Sequence, residues 1–338
     1  MKYTKHIIGN FQGDDVYEIK LFTDSGTFMS FWTLGARLNE FNLDGIGNIV
    51  LSYDSIDQLL ANRSYFFGAS IGRMGGRIGN SSFKLNGTVY NLDNNEGSNH
   101  LHGGDRGFDL RNWEFDIEEG PNQLRINFKL MDKKDENYYP GNLKARVSHT
   151  LTNDEKWIID YWAKSDADTI YNPTNHVYFN LNGEKNLITN HYLKLDSNYI
   201  LETDKSCLPT GKKIEIKSTE LDFSTYSLLG DVLISENPEI AKNGGLDTAF
   251  VLNRDNQISL SLKNDKLKLD MITDRDSVIV YSLNKIDEES SMKLFKHQGI
   301  AIEAQNLPDA INHKGFGNVI LKKGEEFKSQ TTYRIERL

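Results

Sequence analysis

The stretch PTNHVYFNLNG, running from Pro173 to Gly183, sorts its side chains by chemistry. In an extended chain alternate residues face opposite ways. Val177, Phe179 and Leu181 then form an apolar face, and His176, Tyr178, Asn180 and Asn182 form a polar face with no formal charge. Amides and phenols bond hydroxyl groups, and an aromatic face covers the C–H patch of a sugar ring. Such a surface suits a neutral polyhydroxylated ligand. A histidine with an ordinary pKa of about 6.5 could deliver a proton to that ligand near neutrality. It could equally be a structural imidazole bonded to a neighbouring loop.

Four other segments carry groups able to act with it. In GIAIEAQNLPDAIN, Ile300 and Ile302 alternate with Glu303 and Gln305. A carboxylate inside so apolar a run is partly desolvated, which raises its pKa and makes it a stronger base while ionised; the alternative is a glutamate on a solvated edge. In NNEGSNHLHGGDRGFD, His100 and His102 are one residue apart. Two histidines at that spacing could ligate a metal, but no clear third ligand accompanies them, so no metal site is assigned. His102 suits a hydrogen-bonding role at a pocket mouth, and His100 reads as a loop residue. In GRMGGRIGN, a guanidinium among glycines could present its fork to a ligand oxygen. A plain surface role fits Arg73 better than Arg77. In NGGLDTAFVL, Asp247 is either a turn residue or an acceptor of two hydroxyl hydrogen bonds.

These segments need a frame, and strand signals dominate the chain. GTFMSFWTLGARLNEFNLDG, QLRINFKLMD, KARVSHTLTN, KWIIDYWAKS, ISLSLKNDKLKLDMITD and SVIVYSLN all mix β-branched or aromatic residues with alternating polarity. Asn86-Gly87, between two short extended runs, predicts a type I′ hairpin, in which both central residues need positive φ. SIDQLLANRSYF predicts roughly two turns of helix, with Ser55 and Gln58 at capping-box spacing and Ile56, Leu59 and Leu60 on one face. YSLLGDVLISENPEIAKNGG reads as an irregular loop because of its Gly, Asn and Pro. No repeat, charge block or low-complexity linker divides the chain. The expectation is one antiparallel β domain over residues 1–338, a large sandwich with a few short helices.

Composition narrows the function. The 338 residues carry 39 Lys plus Arg against 48 Asp plus Glu, a net charge of −9. That balance argues against nucleic acid or an anionic membrane as partner, since both need a concentrated positive field. No apolar run reaches the roughly 18 residues of a membrane span, and the N-terminal stretch lacks a signal-peptide apolar region. The single cysteine, Cys207, suits a reducing compartment and reads as an inert residue near a loop. A cytoplasmic protein is expected. GRMGGRIGN has neither the lysine-hydroxyl pair of a phosphate loop nor GxGxxG spacing, so nucleotide-driven chemistry is disfavoured.

Taken together and in order, NRSYFFGASIGRMGGRI, NEGSNHLHGG, NPTNHVYFNLNG, GGLDTAFVL and GIAIEAQNLPDAIN resemble the signature stretches of the aldose 1-epimerase (galactose mutarotase) family. The resemblance extends from about Gly35 to Tyr333, and LHGG, NPTxHxYFNL and ExQxxPDAxN are its most specific blocks. It implies the galactose mutarotase-like supersandwich with an open sugar cleft. By position it implies Glu303 as general base and His176 as general acid, with Arg77, His102 and Asp247 holding the sugar. It implies interconversion of the α and β anomers of free aldohexoses such as galactose and glucose, feeding hexose metabolism, with no cofactor. Gly76 stands where the family commonly has asparagine, YSLNK departs from a YTxNF-like segment, and FGNVILKKGEEF lacks the family's prolines. The preferred aldose therefore stays open, as does the choice between a monomer and a homodimer.

The implied chemistry breaks a C1–O5 bond and no C–H bond, so one proton acceptor and one donor suffice. Glu303 would take the C1-hydroxyl proton while protonated His176 supplies the ring oxygen, with reclosure after rotation about C1–C2. The two pKa values should then bracket the working pH. Two rivals stand beside this reading: a glycosidase with Glu303 and Asp247 as its carboxylate pair, and a non-catalytic sugar-binding module.

Overall fold

The computed structural model describes residues 1–338 other than 184, 255, 256 and 288, with position 135 described for its backbone alone. Three sheets make the frame. A nine-stranded sheet is built largely from the middle and end of the chain, and a six-stranded sheet combines Tyr178–Phe179, Ile300–Gln305, Ser277–Tyr281, Asp247–Leu252, Ser197–Thr203 and Pro209–Glu215 in that order. A five-stranded meander is formed by the N-terminal residues 2–48. The ladders within these sheets are antiparallel.

Alternation places the core between the two larger sheets. From the six-stranded sheet Phe179, Phe250, Val278, Val280, Ile300 and Ile302 point inward; from the nine-stranded sheet Trp157, Ile159, Leu269 and Tyr333 meet them in one buried cluster. Phe179 packs on Tyr333 at 5.2 Å between ring centroids, and the Tyr333 hydroxyl donates to the Ile302 carbonyl at 3.1 Å. The last strand, Glu326–Arg337, lies inside the nine-stranded sheet between Trp157–Ser165 and Leu267–Thr273.

Local expectations fare unequally. Leu85 pairs with Thr88 across Asn86 (φ 50°) and Gly87 (φ 84°), so the two-residue hairpin forms as its dipeptide predicts. The helix Ile56–Ala61 begins at Ser55, whose hydroxyl accepts from the Gln58 amide. Gln58 reaches back to the Asp54 amide rather than to that of Ser55. Ile56 and Leu59 are buried but Leu60 is 41% exposed, so the apolar face is narrower than expected. The segment read as an irregular loop instead contains two short helices, Leu229–Leu233 and Pro238–Ala241. Leu229, Val232 and Leu233 are drawn into the core, and Asn237 caps the second helix before its N1 proline. Tertiary packing and a local cap outweigh the breakers. Among the described residues, no helix is long and apolar enough to cross a membrane.

Candidate active site

The outward face of the six-stranded sheet is the floor of a cleft of about 420 Å³. Register aligns Ala249, Ile279 and Glu303 across three neighbouring strands, and Asp247, Tyr281, Ala301 and Tyr178 in the adjacent row. Ala249, Ile279, Glu303, Asp247, Tyr281 and Tyr178 all line the cleft. Glu303 thus faces away from Ile300 and Ile302, as alternation predicted. All six residues of its strand are buried.

His176 enters from the side. The run Thr174 to Asn180 is not one strand: two short strands, Thr174–Asn175 and Tyr178–Phe179, flank the histidine. Its backbone is pinned to the segment after the first helix, with the His176 amide donating to the Ala69 carbonyl and the Gly68 amide donating to the His176 carbonyl. Gly68 has φ 62°, and a Cβ there would lie 1.7 Å from the Leu38 carbonyl oxygen. Only glycine permits that approach. The uncharged face noted in the sequence therefore splits. His176 and Tyr178 reach the cleft. Asn180 instead holds the Asn186 and Gln298 carbonyls, and Asn182 bonds Asn190 and Asn264.

The two proposed proton-transfer groups meet: His176 Nε2 lies 3.4 Å from Glu303 Oε1. Burial raises the Glu303 carboxyl to about 8, with Asp247 adding to the rise and Arg77 opposing it. Burial pushes His176 down to about 3, assisted by Arg37. Both pKa values lie on the sides of neutrality that bracket it, but in the inverse of the expected order. With these shifts the pair holds one proton at neutral pH, on Glu303. A low dielectric disfavours the charged form of both groups.

His102 packs on His176 with ring centroids 5.1 Å apart. Its Nδ1 accepts from the Gly76 amide at 3.2 Å, and its own amide donates to the Gly76 carbonyl. His102 is held well below the usual imidazole range by burial, then by His176 and Arg77. A neutral ring whose Nδ1 is an acceptor carries its proton on Nε2. His102, His176 and Glu303 offer ligand atoms within 4.8 Å of one another, a spacing that could hold a metal. The His102 ring nevertheless has both nitrogens committed, one as acceptor and one as N–H, so it suits donation to a hydroxyl oxygen better than ligation. Gly76 itself sits at φ 74°, a backbone region that asparagine tolerates better than most residues.

His100 does not join this cluster. It is fully buried, with Nδ1 2.9 Å from Asp93 Oδ1 and Nε2 2.7 Å from the Tyr139 hydroxyl. A φ of 52° at His102 turns the chain between them. The expected loop histidine is therefore a core hydrogen-bonding residue, and the HxH pair does not converge. Arg73 is likewise not a surface residue. It is fully buried against Asp132 at 2.6 Å and donates to the Pro140 and Gly141 carbonyls and the Thr169 hydroxyl. Arg77 is the arginine that lines the cleft.

Three participants carried weak sequence signals. Glu96 grips Arg77 through two hydrogen bonds of 2.6 Å. Burial depresses the Arg77 pKa, but this pair and Asp247 outweigh it and the net shift is upward. Glu96 stands in NNEGSNHLHGG, where a lone acid in a Gly/Asn loop near His102 is a visible cue. Phe66 packs against His102 at 4.9 Å and His176 at 5.6 Å, from a left-handed φ of 54°. Nothing in RSYFFG distinguishes it from core aromatics. Tyr281 pairs with Asp247 across strands, which only register reveals.

A cleft with these groups has the donors and acceptors to bind a neutral polyol and a carboxyl–imidazole pair able to exchange a proton. The family model described as aldose 1-epimerase matches residues 17–334. The chain belongs to the aldose 1-epimerase family. It is 33% identical over 342 residues to an aldose 1-epimerase of Streptococcus thermophilus, spanning 96% of this chain and 95% of that one. A maltose epimerase of Levilactobacillus brevis is 28% identical over 344 residues and 100% of both chains. The solved structure of a galactose 1-epimerase from Lactobacillus acidophilus NCFM superposes with a TM-score of 0.92 at 30% identity, covering 99% of each chain. The mutarotase-like antiparallel architecture is thus the one expected. This aldose 1-epimerase family member is an isomerase acting on carbohydrates, which leaves neither the glycosidase nor the binding module as its class.

Proposed function

We propose that this epimerase interconverts the α and β anomers of free aldohexoses, with Glu303 accepting the anomeric hydroxyl proton and His176 protonating the ring oxygen. The observation that carries this is the 3.4 Å approach of His176 to Glu303 in the sugar-sized cleft. O1 and O5 share one carbon, so a donor and an acceptor that nearly touch can serve both oxygens at once. The pair's single proton starts on Glu303. A bound sugar donates O1–H to the carboxylate and accepts at O5 from the imidazolium, so it favours the tautomer with the proton on His176. Ring opening moves the proton from O1 to Glu303 and from His176 to O5; rotation about C1–C2 and the reverse transfers close the other anomer.

His102, Arg77 and Asp247 hold the remaining hydroxyls, keeping the open chain near its cyclic shape so that reclosure is fast. We take residues 1–338 as one functional unit, supported by a main core that runs from Ile19 to Tyr333. Polarimetric relaxation of fresh α-D-galactose, α-D-glucose and maltose tests the reading. Glu303→Gln and His176→Asn are each expected to lower kcat by about 10²–10⁴-fold with KM less affected. Near-normal rates in both variants would refute the assignment.

A further inference from the structure

Arg77 is a cation, yet in this cleft its charge and two of its three guanidinium nitrogens are already engaged by Glu96. Nε donates to Glu96 Oε2 and Nη2 to Glu96 Oε1, each at 2.6 Å. Nη1 has no hydrogen-bond partner among the described residues, and Arg77 lines the cleft. A guanidinium held by one edge presents its remaining nitrogen in a fixed direction. Glu96 is itself positioned. Its amide and carbonyl exchange hydrogen bonds with Asn99 across a tight turn in which Gly97 has φ 59°, and the Asn99 side chain accepts from the Asn80 amide at 3.3 Å.

The remaining charges of the cleft are Lys285 against Asp247, Asp287 and Glu303. With Arg77 cancelled by Glu96, one cation faces at least two carboxylates even when Glu303 holds a proton. An anionic sugar entering here meets a field of its own sign. A neutral sugar meets Nη1 as a directional donor.

We infer that Glu96 is a specificity-determining residue, which aims Arg77 at a neutral sugar and cancels the charge that would otherwise draw an anionic one. The inference rests on the proposed sugar-binding role of Arg77. It predicts that this epimerase discriminates for D-galactose over D-galacturonate, and that Glu96 carries much of the discrimination. Removing one charge this close to a ligand changes binding by tenfold or more at an effective dielectric of roughly 20.

The test measures kcat/KM for mutarotation of both sugars in the wild type, Glu96→Gln and Glu96→Asp. In Glu96→Gln the galactose value should fall, mainly through KM, as the clamp loosens. The galacturonate-to-galactose ratio should rise at least about tenfold. Glu96→Asp, which restores the charge, should return the ratio towards wild type. An unchanged ratio in Glu96→Gln overturns the inference, as does a ratio that rises equally in Glu96→Asp. A purely structural role would lower both sugars together. Should neither variant fold, the wild type alone decides: galacturonate inhibition must strengthen as salt rises, because screening weakens repulsion. Inhibition that weakens with salt overturns the inference. A wild type that accelerates no neutral aldose would instead overturn the proposed function, which separates the two failures.

Discussion

At the residue scale the decisive quantity is where one proton sits. Burial pushes Glu303 up to about 8 and His176 down to about 3. Between those values the pair carries a single proton on Glu303, which a bound sugar must draw across to His176. Above about 8 Glu303 loses that proton in the free enzyme, so nothing remains to protonate the ring oxygen. Below about 3 both groups are protonated and no base remains. We therefore predict a broad plateau in kcat/KM across neutrality and a fall as pH rises through about 8, since this ratio reports the free enzyme. A rate that kept climbing through pH 9 would be incompatible with one shared proton. His102 does not account for the fall above neutrality, because burial moves its own shift downward.

At the scale of elements, two glycines with positive φ separate shape from function. Gly87 completes a hairpin with open space around it, so Gly87→Ala meets only the backbone penalty of about 1–2 kcal/mol. A lowered midpoint in urea with unaltered kcat is the expected result. Gly68 is different: it approaches Leu38 closely, and its amide holds the His176 carbonyl. Gly68→Ala must displace that segment, so stability and kcat should fall together. If Gly68→Ala kept full kcat while losing stability, the 68–69 segment would not be what positions the histidine.

The whole molecule matters because the cleft floor is the reverse side of the core. Phe179 fills the space between the sheets against Tyr333 and Trp157, while its neighbour Tyr178 faces the cleft. Removing so large a buried ring typically costs about 3–5 kcal/mol. Phe179→Ala should lose that amount in urea unfolding, and loosening the strand beside Ile300–Gln305 should also raise KM. A destabilised variant with unchanged KM would show that the floor is independent of the core behind it. The nine-stranded sheet reaches the cleft floor directly: the Tyr333 hydroxyl donates to the Ile302 carbonyl and so anchors the strand that bears Glu303.

Much of this was present in one dimension. Side-chain alternation is a local property, so the inward Ile300 and Ile302, the outward Glu303, the Asn86-Gly87 hairpin and the cap at Ser55 could all be read from neighbouring letters. Ordered motifs carried the family and hence the pairing of His176 with Glu303. Other features depend on segments that only folding brings together. Whether an arginine is buried depends on what packs over it, which is why Arg73 belonged to the core and Arg77 to the cleft. The split of the His176 face, the Glu96 grip and the Tyr281–Asp247 pairing follow from register and loop contacts far apart in sequence. The order of the two pKa values was likewise decided in three dimensions, because desolvation comes from every atom that surrounds a group and not from its chain neighbours.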